Sequence, residues 1–252
     1  MRLTIVGCSG SFPGPDSPAS CYLVEAAWQG RTYRLVLDMG SGALGALQRV
    51  VPGLDIDAVA LSHLHADHCI DLAAMYVVRR YHPDGPWPAL PVFGPPGTAA
   101  RLARAYDLPE EPGMASQFEV SEWGPEPVRL GPFELTVARV AHPVEAYAIR
   151  VASNGSTLVY SGDTGPCDAL VTLAKEADTL LAESSFVESR SNPPDLHMTG
   201  RDAAEAARAA GARRLLLTHI PPWTDRDEVL GDARPHFVGD VELVKPFASY
   251  DI

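Results

Sequence analysis

Short apolar runs, separated by polar and glycine-rich segments, recur along the 252 residues of the chain. Residues 1–7, 34–37, 57–62 and 91–94 have the length and composition of buried strands, as do residues 137–143, 157–164 and 215–221. Residues 71–82 and 98–106 instead predict helices, and in the first of these Leu72, Met75, Tyr76 and Arg79 recur at helical spacing on one face. The pattern therefore predicts short strands alternating with helices.

The most informative polar segment directly follows the strand at 57–62. It reads His63-Leu64-His65-Ala66-Asp67-His68 and places four metal-ligating side chains on a strand-to-helix loop. Neutral imidazoles suit zinc, iron and manganese, and the aspartate adds the charge that a second ion requires. The alternative is a polar loop whose histidines cap the helix. Four ligands so close together do not fit around one ion, so the motif predicts two neighbouring ions and further ligands downstream.

Three later strands carry polar residues of the expected kind at their ends. The runs at 137–143, 157–164 and 215–221 lead into His142, Asp163 and His219. A single histidine or aspartate at a strand end is more often a cap or a surface residue. Three such residues downstream of the histidine motif form a constellation and indicate a composite metal site.

The series Asp38, His63-x-His65-x-Asp67-His68, His142, Asp163 and His219 resembles the metallo-β-lactamase superfamily in order and residue type over nearly the whole chain. The resemblance implies an α/β fold, a four-layer αββα sandwich with the site at one edge of the paired sheets. It also implies a role for each ligand. The first metal would be held by His63, His65 and His142, the second by Asp67, His68 and His219, with Asp163 bridging the two.

Two further residues receive roles from the resemblance. Asp38 follows the strand at 34–37 and would orient the metal loop by hydrogen bonds, although it could instead cap the helix that starts near Ser41. His197 precedes an alanine-rich helix that opens on a near capping box, Thr199 with Asp202. An H-x-T sequence before such a helix resembles the phosphodiesterase branch of the superfamily, in which this histidine assists the leaving group. An ordinary residue at a helix N-terminus is the alternative.

The ribonuclease Z-like enzymes of this branch hold tRNA with a long basic arm, inserted between the ligands that match His142 and Asp163. Here that interval has only 20 residues, and the formal charge of the chain is −12. Both features argue against long nucleic acids. Trp223 could stack on a base or simply pack against the domain, and Ser9 and Ser11 lie in a loop that could contact a phosphate or form a plain turn. Together these segments resemble an actinobacterial group of proteins similar to atypical cyclic-nucleotide phosphodiesterases.

We therefore expect a dinuclear phosphodiesterase that cleaves a small phosphodiester, preferably 3′,5′-cyclic AMP, by a metal-bridging hydroxide, with His197, Asp67 and Asp163 as catalytic residues. Zinc fits the ligands best, and Mn²⁺ or Fe²⁺ also fits. The alternatives are a tRNA 3′-processing endonuclease, a thiol dioxygenase with one iron, and a carrier without catalysis.

The composition favours one domain over residues 1–252, because 46% hydrophobic residues suffice for one large core. No signal peptide or membrane-spanning run is recognisable, and the four cysteines show no paired spacing. A reduced, cytoplasmic protein is the expectation, and Cys69 is expected to be a buried apolar residue. A homodimer is compatible with the resemblance. Residues 109–127 are expected to be an irregular surface excursion.

Overall fold

A computed structural model describes all residues, 1–252, as two seven-stranded sheets. The first sheet has the order β14-β1-β2-β3-β4-β5-β6 and the second the order β13-β12-β11-β10-β9-β8-β7. The first sheet consists of β1 Arg2–Gly7, β2 Cys21–Trp28, β3 Arg31–Leu37, β4 Ala58–Ala60, β5 Leu90–Gly94, β6 Phe118–Glu122 and β14 Ser249–Asp251. The second consists of β7 Val128–Leu130, β8 Phe133–Arg139, β9 Tyr147–Ser153, β10 Ser156–Tyr160, β11 Thr179–Glu183, β12 Arg214–Thr218 and β13 Asp240–Leu243.

Seven α-helices accompany the sheets: α1 Ala43–Val50, α2 Ala66–Cys69, α3 Asp71–Tyr81, α4 Thr98–Ala105, α5 Asp168–Leu173, α6 Gly200–Ala210 and α7 Arg226–Ala233. Short 3₁₀ turns lie at Pro52–Leu54 and Arg234–His236. Buried residues of α1, α3 and α4 pack on the outer face of the first sheet, and those of α5, α6 and α7 on the outer face of the second. A third apolar cluster lies between the two sheets. This arrangement confirms the predicted four-layer αββα sandwich.

Strand β3 shows how the sequence builds these layers. Leu35 and Leu37 belong to the cluster between the sheets, whereas Val36 belongs to the cluster beneath the helices. Successive side chains of a strand point to opposite faces, so a continuous apolar run is needed where both faces are covered.

The predicted face of α3 is confirmed, since Leu72, Met75, Tyr76 and Arg79 are all buried.

Helix α6 begins where the sequence predicts it. The Thr199 hydroxyl accepts a hydrogen bond from the backbone N–H of Asp202, and the Asp202 carboxylate accepts one from the N–H of Thr199. This capping box satisfies two N–H groups that lack partners within the helix. Buried alanines on α6 allow the helix to lie close to the second sheet. The start of α6 is therefore firmly held, which positions the residues immediately before it.

The expectation for residues 109–127 is wrong in part, because β6 lies within this segment and completes the parallel edge of the first sheet beside β5. Its sequence, Phe-Glu-Val-Ser-Glu, alternates apolar and polar residues, and Phe118 is buried. Trp123, just after β6, donates its indole N–H to the carbonyl of Leu61. This segment is thus anchored close to the predicted metal loop.

Strand direction brings the predicted site residues to one edge of the sandwich. In the first sheet β3 and β4 are parallel, and in the second β10, β11 and β12 are parallel. Strand β8 is antiparallel to β9, which is antiparallel to β10, so β8 runs in the same direction as β10. The carboxyl ends of these strands therefore face the same edge, where open α/β sheets usually place their ligands. None of the helices combines the length and the apolar character needed to cross a membrane.

Candidate metal centre

The first group of predicted ligands converges on one point. His63 Nε2 lies 3.0 Å from His65 Nδ1, and His142 Nε2 lies 3.3 Å from the same atom. Two nitrogens bound tetrahedrally to one zinc ion would be separated by about 3.3 Å, given Zn–N bonds of about 2.0–2.1 Å. The observed separations therefore fit three ligands of a single ion.

The second group lies directly beside the first. His68 Nε2 is 3.2 Å from His219 Nε2, and Asp67 Oδ2 is 3.2 Å from the same atom of His219. Asp163 stands between the groups, with Oδ2 3.8 Å from His63 Nε2 and Oδ1 3.2 Å from His68 Nε2. The structure thus brings together all seven predicted ligands, and Asp163 has the position required of a bridge.

The ring nitrogens are prepared for metal ligation by their outer hydrogen bonds. The carboxylate of Asp38 and the carbonyl of Leu196 can only accept, so the Nδ1 atoms of His68 and His142, at 2.7 and 2.9 Å, carry the protons. The Ser62 hydroxyl donates to Asp38 and therefore accepts from Nδ1 of His63. In the same way, the Ser185 hydroxyl donates to the carbonyl of His219 and accepts from Nδ1 of that residue. When these four rings are neutral, their Nε2 lone pairs therefore face the centre, as metal ligation requires.

Charge at the centre also favours a cation. Oδ1 of Asp163 is buried without a hydrogen bond, and an unpartnered buried carboxylate oxygen is costly. Burial lowers the pKa of His63, His65 and His142, so these rings are neutral near pH 7 and available as ligands. Burial also lowers the pKa of His68, but Asp163 and Asp38 outweigh it and hold that pKa above its usual value. A positive charge is therefore favoured beside Asp163.

Asp38 lies behind the metal ligands and accepts several hydrogen bonds. Its buried carboxylate accepts hydrogen bonds from the backbone N–H and hydroxyl of Ser62, from Tyr160 and from His68, all at 2.7 Å. Helix α1 has Gly42 at its N-cap, so the alternative of Asp38 as a helix cap is wrong. The carboxylate instead joins the metal loop to β10 on the facing sheet.

His197 lies beside the centre, with its ring centroid 5.6 Å from those of His142 and His219. Its Nδ1 donates to Oε1 of Glu183 at 2.8 Å. Burial lowers the pKa of His197, but the charge and hydrogen bond of Glu183, together with the charge of Asp163, raise it to about 9. A protonated His197 is therefore poised beside the metal ligands as a proton donor.

Sequence reasoning missed Glu183, the partner of His197. Its carboxylate is buried and also accepts from the backbone N–H groups of Thr164 and Ser185. A signal was present, because Glu183 ends the apolar strand β11 as His142, Asp163 and His219 follow theirs. A strand-end glutamate with this burial holds the histidine in one orientation.

The three predicted substrate-binding residues occupy different settings. The Ser9 hydroxyl is buried and donates to the carbonyl of Ser17, whereas the backbone N–H of Ser11 lies 3.4 Å from Nε2 of His219. Trp223 is 65% exposed and packs on Phe12 with ring centroids 4.6 Å apart. Phe12, which adjoins Ser11, was not predicted from the sequence. The loop containing Ser11 therefore reaches the second ligand group at His219, and Phe12 of the aromatic pair directly follows Ser11 in the chain.

Comparison with known proteins agrees with this geometry. The sequence profile of the beta-lactamase superfamily domain matches residues 33–220. The chain belongs to this superfamily. An uncharacterized protein of Mycobacterium tuberculosis is 47% identical over 256 residues, which covers 100% of this chain and 92% of the relative. The ribonuclease Z of Myxococcus xanthus is 30% identical over 298 residues, covering 96% and 95%.

The probable metallo-hydrolase YhfI of Bacillus subtilis is 32% identical over 97% of each chain. Its crystal structure has a TM-score of 0.86 at 29% identity and covers 99% of both chains. These relatives place the chain in the metallo-hydrolase and ribonuclease Z branch of the superfamily. The histidines and aspartates of the centre can hold divalent metal.

Proposed function

We propose that this protein is a dinuclear metal-dependent phosphodiesterase that hydrolyses a small phosphodiester, with 3′,5′-cyclic AMP as the favoured substrate. The observation that carries the proposal is the shared position of Asp163 between two groups of ligands, with the His197–Glu183 pair at their side. Two metal groups and a separate proton donor suit phosphodiester hydrolysis, in which metals offset the phosphoryl charge and an acid protonates the leaving oxygen. The metallo-hydrolase and ribonuclease Z relatives support the reaction class.

The residues fit two divalent ions. His63, His65 and His142 would hold one ion, and Asp67, His68 and His219 the other, with one oxygen of Asp163 for each. Bound ions supply positive charge for the phosphoryl oxygens and lower the pKa of a coordinated water towards neutrality. Zinc is preferred by these nitrogen-rich groups, while Mn²⁺ and Fe²⁺ remain compatible with the aspartates.

The chain itself supplies the proton for the leaving oxygen. Glu183 holds Nδ1–H of His197, so Nε2 is the nitrogen that remains for the substrate. A ribose alkoxide is a poor leaving group until it is protonated, and a positioned acid contributes roughly 10²–10⁴-fold to such a step. The hydrogen bonds of Glu183 to two backbone N–H groups prevent it from turning away from His197.

A small substrate suits the surroundings of the centre. The segment between His142 and Asp163 is occupied by the hairpin of β9 and β10, which leaves no residues for a tRNA-binding arm. The exposed rings of Phe12 and Trp223 offer an aromatic surface for one base. The formal charge of −12 opposes a long polyanion. These features support a cyclic nucleotide over RNA.

The second candidate is tRNA 3′ processing, which the ribonuclease Z relative favours. It would require a basic arm from another chain. Cleavage of a precursor tRNA at its 3′ end by the purified protein, analysed on a gel, would establish this activity.

The deciding experiment measures hydrolysis of bis(p-nitrophenyl) phosphate and 3′,5′-cyclic AMP by metal-loaded protein, with the bound metal counted in the same sample. Turnover of both substrates with two metals per chain is the expected result. Turnover of bis(p-nitrophenyl) phosphate alone would support phosphodiester hydrolysis but reject 3′,5′-cyclic AMP as the substrate. No turnover with a single bound iron would reject the proposal in favour of an oxidative enzyme, and no turnover with two metals would favour a carrier.

A further inference from the structure

A cavity lies at the opposite end of the first sheet from the metal centre. It has a volume of about 410 Å³ and is bordered by the residues that precede β4 and β5 and by the last turns of α3. The lining residues are Gly53, Leu54, Asp55, Ile56, Asp57, Arg79, Trp87, Pro88, Ala89, Leu90 and Pro91. No predicted site residue belongs to this set.

Arg79 is the unusual member of the lining. It is only 6% exposed, and no carboxylate lies within ion-pair distance of it. One Nη2 proton goes to the carbonyl of Pro88, the indole ring of Trp87 lies 5.4 Å away, and Nε has no hydrogen-bond partner. Burial lowers the pKa of Arg79. A buried guanidinium without a counter-ion is costly. Nε is fully buried, but an anion in the cavity could accept hydrogen bonds from the Nη protons that Pro88 leaves free and supply the missing charge.

The acidic residues of the cavity already have partners. Asp57 binds the guanidinium of Arg31 at 2.6 Å and the backbone N–H of Arg34 at 2.8 Å. Asp55 binds the guanidinium of Arg34 at 2.9 Å. Arg79 is therefore the cation of this cavity that lacks a carboxylate. The two nearby carboxylates still oppose a doubly charged ligand, which favours a single negative charge.

We propose that this cavity binds a small organic monoanion, a carboxylate attached to an apolar body. The planar guanidinium matches a carboxylate through paired N–H groups better than it matches a point charge. Leu54, Ile56 and Trp87 offer apolar walls for the remainder of the ligand. The site is separate from the metal centre, since Asp71 and Arg79 lie eight residue steps apart on α3, a rise of about 12 Å.

The test uses benzoate as the probe, with benzyl alcohol as a neutral analogue and phenyl phosphate as a dianionic one. Binding is measured by isothermal titration calorimetry on the full-length, metal-loaded protein, and by the fluorescence change of Trp87 relative to a Trp87→Phe variant. We expect saturable benzoate binding that is roughly tenfold or more tighter than binding of either analogue. Benzyl alcohol binding as tightly as benzoate would overturn the proposal, as would the absence of saturable benzoate binding.

Variants at neighbouring arginines complete the test. Arg79→Met should weaken benzoate binding by roughly tenfold or more, whereas Arg80→Met, at an exposed position on the same helix, should leave it unchanged. Circular dichroism and metal content show whether each variant is folded. Equal affinity in folded Arg79→Met and in the wild type would refute the assignment. If Arg79→Met does not fold, the fluorescence change on adding benzoate decides: a change seen in the wild type but lost in Trp87→Phe places benzoate in this cavity, and the same change in both proteins overturns the proposal.

Discussion

The role of Glu183 leads to a sharp prediction for the variant Glu183→Gln. The substitution preserves the shape of the side chain and one acceptor oxygen but removes the buried negative charge. That charge accepts the 2.8 Å hydrogen bond from His197 and is the main reason that the pKa of His197 rises to about 9 despite burial. His197 should therefore become a weaker and less well oriented proton donor, while the seven metal ligands remain in place.

The size of the effect follows from the lost interaction. A hydrogen bond to a charged partner contributes about 1.5–3 kcal/mol, which corresponds to roughly 10–150-fold in rate when it is lost from the transition state. We expect kcat for 3′,5′-cyclic AMP to fall by this amount, and by roughly 10²–10⁴-fold in His197→Ala. Hydrolysis of bis(p-nitrophenyl) phosphate should change by less than about threefold, because p-nitrophenolate leaves without prior protonation.

The assay compares kcat for both substrates in wild type, Glu183→Gln and a control, Glu205→Gln, whose side chain pairs with Arg201 and His236 on helix α6 and the turn after α7, away from the metal ligands. Bound metal is counted in each preparation. An equal fall for the two substrates would refute the leaving-group role of His197. A fall in activity that parallels a loss of metal would instead assign Glu183 to the support of the metal centre.

Three further predictions concern the metal centre and its surroundings. Asp163→Asn should reduce the bound metal below two ions per chain and abolish hydrolysis with the fold intact, as measured by metal analysis and circular dichroism. Asp38→Asn places an amide against the hydroxyl donors of Ser62 and Tyr160. It should lower the free energy of unfolding, measured by urea titration, by about 3–5 kcal/mol. A loss below about 1 kcal/mol would contradict this prediction. Trp223→Ala should raise KM for 3′,5′-cyclic AMP roughly tenfold but not that for bis(p-nitrophenyl) phosphate, whereas Trp28→Ala should change neither.

The sequence was sufficient to predict which side chains converge at this edge, because their signals are local. The motif from His63 to His68 lies within six residues, and the remaining three ligands each follow an apolar strand. A strand end is recognisable from the change from apolar to polar residues. Parallel strands then bring such ends to one edge of a sheet without any further information. The placement of these side chains was therefore accessible before the structure, whereas the four-layer fold was expected only from the family resemblance.

Other features depend on contacts between distant parts of the chain. Tyr160 donates to Asp38 across 122 positions in sequence, and Ser185 orients His219 across 34. The carbonyl of Leu196 that orients His142 leaves no trace in residue type, because every residue has a carbonyl. Strand β6 was missed since its five residues are short and half polar. Only the packed structure shows these relations.

The ligands come from both halves of the sandwich, and this explains how so polar a cluster persists at the edge of an apolar interface. The loop from His63 to His68 follows β4 of the first sheet, whereas Asp163 and His219 follow strands of the second. Elsewhere hydrocarbon side chains fill the space between the sheets. At this edge the facing groups are carboxylates and imidazoles, whose lone pairs repel one another unless a proton or a metal ion lies between them. Ions bound here would therefore join the two sheets as well as serve catalysis, so the same charge that activates the site would also stabilise the packing around it.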